Sequence, residues 1–301
     1  MGEAYTAVAD GPDAAYWNPA GLAWLKGGGA RYARSELPAG VHHDFAAVAL
    51  PAAWAHGGFA FSLTRLSQDS LALVDASNTT EGSFSPHSEA YALSYGARIS
   101  GESPRAVDRD YFRGGWEVPS VDRPYLDELE PWTGQISVGA TIKAVHEDLG
   151  TRSAVATAFD AGAMFRPEDL SALTLAAAVR NVGTKLRFIS ESEPLPGELA
   201  AAAAYDLRGD EWALLPAVEA DLPYAGDPYG KLGVEARRSV SRSADASLRL
   251  GYTSRTAASL GALSGLTAGV GLRAGAFSFD AAFEPMGVLG QGLRLGVGWD
   301  F

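Results

Sequence analysis

The last stretch of the chain, residues 291–301, limits the possible folds more than any other. Every second residue in it is apolar: Leu293, Leu295, Val297, Trp299 and Phe301. The residues between them are small or charged: Gly292, Arg294, Gly296, Gly298 and Asp300. Because side chains alternate between the two faces of a strand, one face is wholly apolar. The pattern predicts a strand with one face in lipid, and a strand of a soluble sheet is the alternative.

The aromatic end of this stretch favours the membrane alternative. A soluble sheet seldom ends on an exposed aromatic residue, whereas a closing strand with a terminal Phe is typical of outer-membrane barrels. We therefore interpret Trp299 and Phe301 as the signal that the barrel-assembly machinery recognises. The expected location is the bacterial outer membrane, with its lipid against the apolar face.

No other part of the chain offers a different way to cross a membrane. No stretch approaches the ~18 apolar residues that a spanning helix needs. The richest run, Ala200–Ala204, is short. Since only helices and closed barrels satisfy their backbone hydrogen bonds in lipid, a membrane protein with this sequence must be a barrel.

Charge and composition exclude several functions. The net charge of −12 disfavours nucleic acid, because phosphate binding needs clustered Lys and Arg. The absence of cysteine removes disulfides, thiol catalysis and thiolate metal sites together. No secretory signal peptide is recognisable, so we interpret the chain as a mature or trimmed sequence.

Strand-length segments with alternating faces recur from residue 28 onward, and turn residues follow each of them. We count fourteen, an even number, as in single-chain bacterial barrels. Their bounds are 28–36, 43–51, 57–66, 89–99, 134–146, 154–165, 171–181, 197–207, 211–222, 230–239, 244–254, 265–273, 276–284 and 291–300. The sequence therefore predicts an all-β, antiparallel transmembrane barrel over residues 26–301.

The connections between these segments alternate in length, which sets the expected topology. Counting back from Phe301, the short links are 274–275, 240–243, 208–210 and 167–170. The longer links are 285–290, 255–264, 223–229 and 182–196. Short periplasmic turns and longer outer loops are usual in this class, so the C-terminus is expected to be periplasmic. A weak strand pattern at 71–76 is assigned to an outer loop spanning 67–88.

Residues 1–25 differ from the rest of the chain and contain a turn signal, Asn18-Pro19. Pro19 is expected at the first position of a short helix with Asn18 as its cap. The run Ala15-Tyr16-Trp17-Asn18-Pro19-Ala20-Gly21-Leu22-Ala23 resembles the N-terminal segment of the FadL/PorV superfamily of outer-membrane barrels. The resemblance implies that residues 1–25 form a lumenal hatch, with Tyr16, Trp17, Asn18, Pro19, Ala20, Gly21 and Leu22 as its central residues.

The resemblance extends over most of the barrel. The runs 180–188 and 193–196 are similar to the mid-barrel signature of PorV/PorQ-like proteins, and so are 264–272, 279–283 and 285–287. In that family the barrel is a non-enzymatic docking component of the type IX secretion route. The resemblance therefore implies a docking or scaffold role in a secretion or surface-assembly system.

The chain departs from the family at an insertion, residues 100–133, where a tight turn is expected. Counting strands from the C-terminus places it on the periplasmic side. Loops of this length without secondary structure are usually functional or disordered. This one combines aromatic residues with arginine, the residue types enriched at binding hot spots. The candidate partner-binding residues are Tyr111, Phe112, Arg113, Trp116, Tyr125 and Trp132.

Charged residues lie on the face opposite the lipid in many of the predicted strands. The alternation directs these side chains into the lumen: Arg98, Lys143, Asp160, Glu235, Arg237, Asp245, Arg249, Arg273, Asp280, Arg294 and Asp300. Charges of both signs can pair there, which offsets their desolvation. They are expected to hold strands and hatch together, or alternatively to line a transport pathway.

The sequence offers no catalytic or metal-binding constellation. Its histidines lack metal-ligand spacing, and His42-His43-Asp44 is interpreted as a solvated loop. No serine has the context of a hydrolase nucleophile, and no glycine-rich piece opens a helix as a phosphate-binding loop does. The sequence thus predicts a barrel without enzymatic activity or cofactor. The rival to docking is a FadL-like transporter of small hydrophobic compounds, for which an apolar lumen is expected.

Overall fold

The structure is a computed structural model that describes residues 1–77, 79–100, 134–150, 152–188 and 191–301. Its main element is one closed sheet of fourteen long antiparallel strands. They are β1 Gly29–Leu37, β2 Val41–Ala52, β3 Gly57–Gln68, β4 His87–Ser100, β5 Gly134–Asp148, β6 Ser153–Pro167, β7 Leu173–Gly183, β8 Glu198–Tyr205, β9 Trp212–Pro223, β10 Tyr229–Ser241, β11 Ala244–Thr253, β12 Leu266–Ala274, β13 Phe277–Pro285 and β14 Gln291–Asp300.

Each strand pairs with its neighbours in the chain, and β14 returns to pair with β1. The closing register runs from Gly29 opposite Asp300 to Glu36 opposite Leu293. A short extra strand, Leu207–Arg208, extends the pairing of β9. The predicted barrel is confirmed, and each of the fourteen predicted segments overlaps one long strand, because side chains that alternate between lipid and lumen leave a period of two in the sequence.

The two ends of the barrel differ as the connection lengths predict. At the end where β14 finishes, the turns are brief, such as 242–243 and 275–276. At the opposite end the connection 38–40 is also brief, but other connections are longer, and two of them form small hairpins of their own. These are Leu71–Val74 with Thr80–Phe84, and Leu186–Phe188 with Glu191–Glu193. The assignment of 71–76 to a loop outside the barrel is thus correct.

Residues 101–133 lie outside the described residues, and so do the aromatic and arginine residues proposed as a partner-binding loop. Their attachment points are described. Ser100 ends β4 and Gly134 begins β5, at the end of the barrel where β14 finishes. The strand count that placed the insertion at the same end as Phe301 therefore agrees with the topology.

The outward face carries large apolar side chains that stay exposed. On the last strands these include Phe277, Phe279, Phe283, Leu293, Leu295, Val297 and Trp299, all exposed. The inward residues between them are small or charged. An exposed apolar surface that surrounds a closed sheet is what a bilayer covers.

Helices are few and short. One α-helix, α1, covers Ala14–Trp17, and another, α2, covers Ser254–Leu260 in the connection between β11 and β12. A 3-10 helix covers Pro19–Trp24. Within the described parts of the chain, none of the helices has the length and apolar character needed to cross a membrane.

One sequence interpretation is wrong at the local level. His42, His43 and Asp44 belong to strand β2 and not to a loop, because β2 begins already at Val41. His42 hydrogen-bonds Asp69 through its Nε2 at 3.1 Å. In the described residues, no group of three or more His, Asp or Glu side chains could hold a metal ion.

Candidate functional site

The N-terminal segment, residues 1–25, lies inside the barrel. Asn18, Pro19 and Leu22 are fully buried in it. Asn18 caps the 3-10 helix, since its side chain accepts a hydrogen bond from the Ala20 N–H at 3.1 Å. Pro19 occupies the first turn of that helix, as the sequence predicts.

The segment sits on a row of glycines, which we call the glycine belt: Gly58, Gly96, Gly139 and Gly162. These four residues come from β3 to β6 and stand directly opposite one another across the strands. A side chain at Gly139 would collide with Pro19 and Ala20, and one at Gly96 with the Pro19 carbonyl. Glycine is therefore required here because backbone meets backbone.

Asn18 joins the segment to itself and to the wall. Its Nδ2 donates to the Thr6 carbonyl at 3.1 Å and to the Ala163 carbonyl at 3.4 Å. The space beside its side chain exists because β6 has Gly162 there. A fully buried amide with its donors and acceptor satisfied fixes one conformation.

Aromatic side chains of the segment pack against one another and against Phe45 of the wall. Tyr16 packs edge-on against Trp17 and Phe45, with ring centroids 5.0 and 5.6 Å away. Tyr5 lies 5.9 Å from Trp17. Tyr16 keeps part of its ring exposed to the lumen. Such edge-on contacts add to the apolar burial that holds the segment.

The lumen-side charges that sequence alternation selects form ion pairs. Lys143 lies 2.6 Å from the buried Asp160 and donates to the Asn181 side chain at 2.8 Å. The pairing of β6 with β7 shifts between Phe159 and Ala161, and Asn181 there has a left-handed backbone with φ of 58°. Its N–H donates to Asp160 at 2.8 Å. The bulge thereby adds a backbone donor to the ion pair.

A second cluster, which we call the buried ion network, was missed by sequence analysis. Arg180 donates to Glu198 at 2.9 Å and to Asp221 at 3.1 Å. Lys231 lies 2.9 Å from Glu219 and 3.0 Å from Asp221. All except Glu198 are almost completely inaccessible to water. Alternation along the predicted strands 211–222 and 230–239 already places Glu219, Asp221 and Lys231 inward, so a signal was present.

The buried ion network holds the N-terminal segment directly. Glu219 accepts hydrogen bonds from the N–H groups of Tyr5 and Thr6 at 3.0 and 2.9 Å. Arg180 donates to the Trp17 carbonyl at 2.9 Å. These are hydrogen bonds between charged groups and backbone, which are stronger than neutral ones.

The remaining predicted charges lie on β10 to β14 and on β4. Arg249 links Glu235 and Asp280 with distances of 2.5 Å to each, and Arg237 also pairs with Glu235. Asp300 lies between Arg273 and Arg31. Asp245 accepts from Ser239 at 2.6 Å, and Arg98 lies over the Trp24 ring at 5.8 Å.

Two carboxyl groups of the N-terminal segment have shifted pKa values. Burial acts to raise the pKa of Glu3, but the ion pair with Arg294 at 2.7 Å outweighs it and the pKa is lowered. Burial raises the pKa of Asp13 to about 6, and Arg31 offsets this only in part. Asp13 is therefore a group whose charge changes in the mildly acidic range.

The end of the chain is tied to the strand that it closes. The Phe301 N–H donates to the Gly28 carbonyl at 2.8 Å, and its ring packs against Gly28. The rings of Trp299 and Phe301 are 4.6 Å apart. Recognition of these residues by an assembly machinery stays a prediction.

One apolar surface faces the lumen near the end with long loops. Ala154, Ala156 and Ala158 point inward from β6 and are buried beneath Leu186 and Leu195 of the loop between β7 and β8. Phe188 and Val145 pack against the same group. The loop thus covers an apolar patch inside the barrel mouth.

The fold is shared with known membrane barrels. The structure of a Pseudomonas aeruginosa FadL homologue is similar over 98% of this chain and 95% of its own, with a TM-score of 0.51 and 12% identity. The Pseudomonas putida toluene transporter TodX gives 0.54 at 10% identity over 98% and 96% of the two chains. The Ralstonia pickettii toluene transporter TbuX gives 0.53 at 10% identity over 97% and 94%. No protein-family model and no curated protein matches the chain.

The protein therefore has the fold of FadL-type outer-membrane barrels. This agrees with the superfamily that the N-terminal run resembles. The three structures do not include a PorV-like protein, so the finer PorV-like assignment and type IX secretion stay hypotheses.

Proposed function

We propose that this barrel lies in the bacterial outer membrane and transports small hydrophobic compounds across it. The observation that carries the proposal is the fold, which matches toluene transporters over nearly their whole length. The exposed apolar side chains on the outward face of the barrel support the membrane location. The sequence alone favours docking over transport. The solved structures with a similar fold favour transport, so this order is reversed here.

The apolar patch inside the mouth is the proposed first contact for the compound. Ala156 and its neighbours on β6 present methyl groups, and the loop above them contributes Leu186 and Leu195. Displacing the loop would expose this patch to a compound arriving from the long-loop side. Burial of apolar surface supplies roughly 25 cal/mol per Å², enough for weak, reversible capture of a small compound.

Uptake of radiolabelled toluene by cells that lack other toluene transporters tests the proposal. Cells that produce the protein should accumulate toluene faster than cells with an empty vector. Ala156→Phe should reduce uptake because it fills the patch. Ala161→Phe is the matched control, since the same ring on the same strand then points into lipid. Equal uptake with and without the protein would contradict transport.

Docking of a protein partner is the second candidate, and one observation favours it. The N-terminal segment and the charged network occupy part of the lumen, whereas a conduit for hydrocarbons is expected to have an apolar lining. In this case the N-terminal segment is a permanent hatch, and residues 100–133 bind the partner. No enzymatic role is proposed.

Purification from the native membrane in mild detergent tests docking. A partner should be recovered with the intact protein and lost when residues 103–130 are replaced by a short Gly-Ser link. The barrel itself should still assemble. Recovery of the same proteins with both forms would contradict a role for the insertion. A cysteine introduced at Ser120 and labelled by an impermeant reagent in intact cells would place the insertion outside and reverse the topology.

A further inference from the structure

We propose that water and small ions pass the N-terminal segment along one side of the lumen, formed by the inward faces of β12, β13 and β14. We call this the open side. The proposal is independent of hydrocarbon transport, since it concerns a different path and a different class of solute.

The segment is seated unevenly. Against β3 to β6 it touches the backbone of the glycine belt, and against β10 and β11 the residues Met1 and Gly2 cover Gly233 and Gly251. Toward the open side it reaches across through polar groups. The Gly2 N–H donates to Thr267 at 3.0 Å, and Glu3 pairs with Arg294.

Glycines on the open side have atoms of the wall, and not of the segment, as their nearest neighbours: Gly271 and Gly298 lie against wall side chains, whereas Gly269 and Gly296 have more room. A Cβ at Gly296 would have Asp280 Cβ at 3.6 Å and the Tyr32 carbonyl at 3.7 Å as its nearest neighbours, both belonging to the wall. At Gly269 the nearest atom is the Ala281 carbonyl at 3.1 Å, again part of the wall. Gly269 and Gly296 therefore leave the lumen wider on this side, whereas the glycines of the glycine belt make room for the N-terminal segment.

Accessibility of the charges shows the same asymmetry. Asp280 stands opposite Gly296, halfway along both strands, yet 42% of its side chain is accessible to water. In the buried ion network and the Lys143 pair, Asp221 and Asp160 are 0% and 1% accessible. Of these three lumenal carboxylates, the one on the open side is thus the one that is accessible to solvent.

Ion pairs with at least one accessible partner lie at successive levels of the open side. Glu284 and Arg294 lie near the long-loop end, Asp280 lies at mid-height, and Asp300 lies at the opposite end. Arg294 and Asp300 are 39% and 35% accessible. Charges of both signs along a hydrated wall offer ligands to a passing cation or anion in turn, as in other pores.

Conductance of the purified full-length protein in planar bilayers of neutral lipid with KCl tests the proposal. The wild type should show a small, steady conductance. Gly296→Leu should remove most of it by adding a side chain to the open side. Ala281→Leu should leave it unchanged, because this matched residue on the neighbouring strand points to lipid. Asp280→Asn should shift the reversal potential in a KCl gradient toward anions.

Each variant is checked for folding by its shift in gel mobility on heating. A folded wild type without measurable conductance would overturn the proposal. So would a conductance and selectivity that neither Gly296→Leu nor Asp280→Asn alters. Toluene uptake by the Gly296→Leu variant should stay at the wild-type level, which separates this path from the proposed transport.

Discussion

On the β3 to β6 side of the lumen the N-terminal segment contacts backbone, whereas on the β12 to β14 side it contacts polar and charged side chains directly. Pro19 rests on Gly139 at the first contact, and Glu3 reaches Arg294 at the second. A backbone contact tolerates no added atom. A partly solvated ion pair tolerates many changes, because water replaces a lost partner.

The buried ion network combines features of both sides. It is charged like the open side and inaccessible like the glycine belt. Breaking a buried pair leaves an uncompensated charge, which is far more costly than losing an exposed pair. The comparison therefore predicts a ranking of variants by burial and not by charge.

The largest effect is expected for Arg180→Met. Without the guanidinium of Arg180, Lys231 is the remaining cation for Glu198, Glu219 and Asp221. The substitution should therefore destabilise the folded protein by about 3–5 kcal/mol. Heat-induced unfolding in detergent micelles measures this. Arg294→Met, the control with a partly exposed arginine, should cost less than about 1 kcal/mol. Equal losses for the two variants would break the comparison.

A smaller effect is expected from filling the glycine belt. Gly139→Leu should displace the N-terminal segment from the glycine belt. The substitution should destabilise the packed segment by roughly 1–3 kcal/mol, because overpacked sites rarely adjust fully. Chymotrypsin should then cut at Tyr5 and Trp17 faster than in the wild type. Gly296→Leu, the same substitution on the open side, should leave the cleavage rate unchanged. Protection of both variants would mean that the belt does not hold the segment.

A still weaker effect is expected from pH. Packing of the N-terminal segment into the lumen, which we call seating, should change with the protonation of Asp13. Because its pKa is raised from 3.8 to about 6 on burial, the seated state binds the proton more tightly than the released state. Seating is therefore most favourable below pH 3.8 and loses this contribution as the pH rises to about 6. Chymotrypsin cleavage cannot be followed at low pH, so tryptophan fluorescence of the segment serves as the readout. Asp13→Asn should flatten the change between pH 4 and 6; a steep change that persists would assign it to another group.

The smallest effect is expected from salt. At 1 M ionic strength the screening length falls to about 3 Å, so the accessible pair of Glu3 and Arg294 should weaken while the buried ion network should not. Chymotrypsin cleavage near the start of the segment should rise only slightly. A large increase would indicate that the accessible pairs carry most of the seating.

Much of the barrel could be predicted from the sequence. In the last strand, Leu295 and Val297 alternate with Arg294 and Gly296, as a wall between lipid and a polar lumen requires. The same alternation assigned Lys143, Asp160 and Asp280 to the lumen, where the structure pairs them. The cap at Asn18 followed from local turn chemistry. His42 was misassigned because the end of a strand has no sharp sequence signal.

Partners across strands could not be predicted. Arg180 belongs to the run 180–188 that resembles a family motif, and nothing in its local sequence indicates that it contacts Glu198 and Asp221. Those contacts depend on the register of β7 to β10, which hydrogen bonds between distant segments set.

The amino-acid sequence is sufficient to predict the type of barrel: the number of strands, the face of each strand and the end at which the barrel closes. These properties depend on the alternation of side chains along each strand. The contrast between lipid and lumen makes this alternation visible in the sequence. Only the folded structure shows that Gly58, Gly96, Gly139 and Gly162 together contact the N-terminal segment, whereas Gly296 does not. In the sequence these glycines are equivalent, and they differ only because the N-terminal segment, folded into the lumen, reaches one side and leaves the other to water.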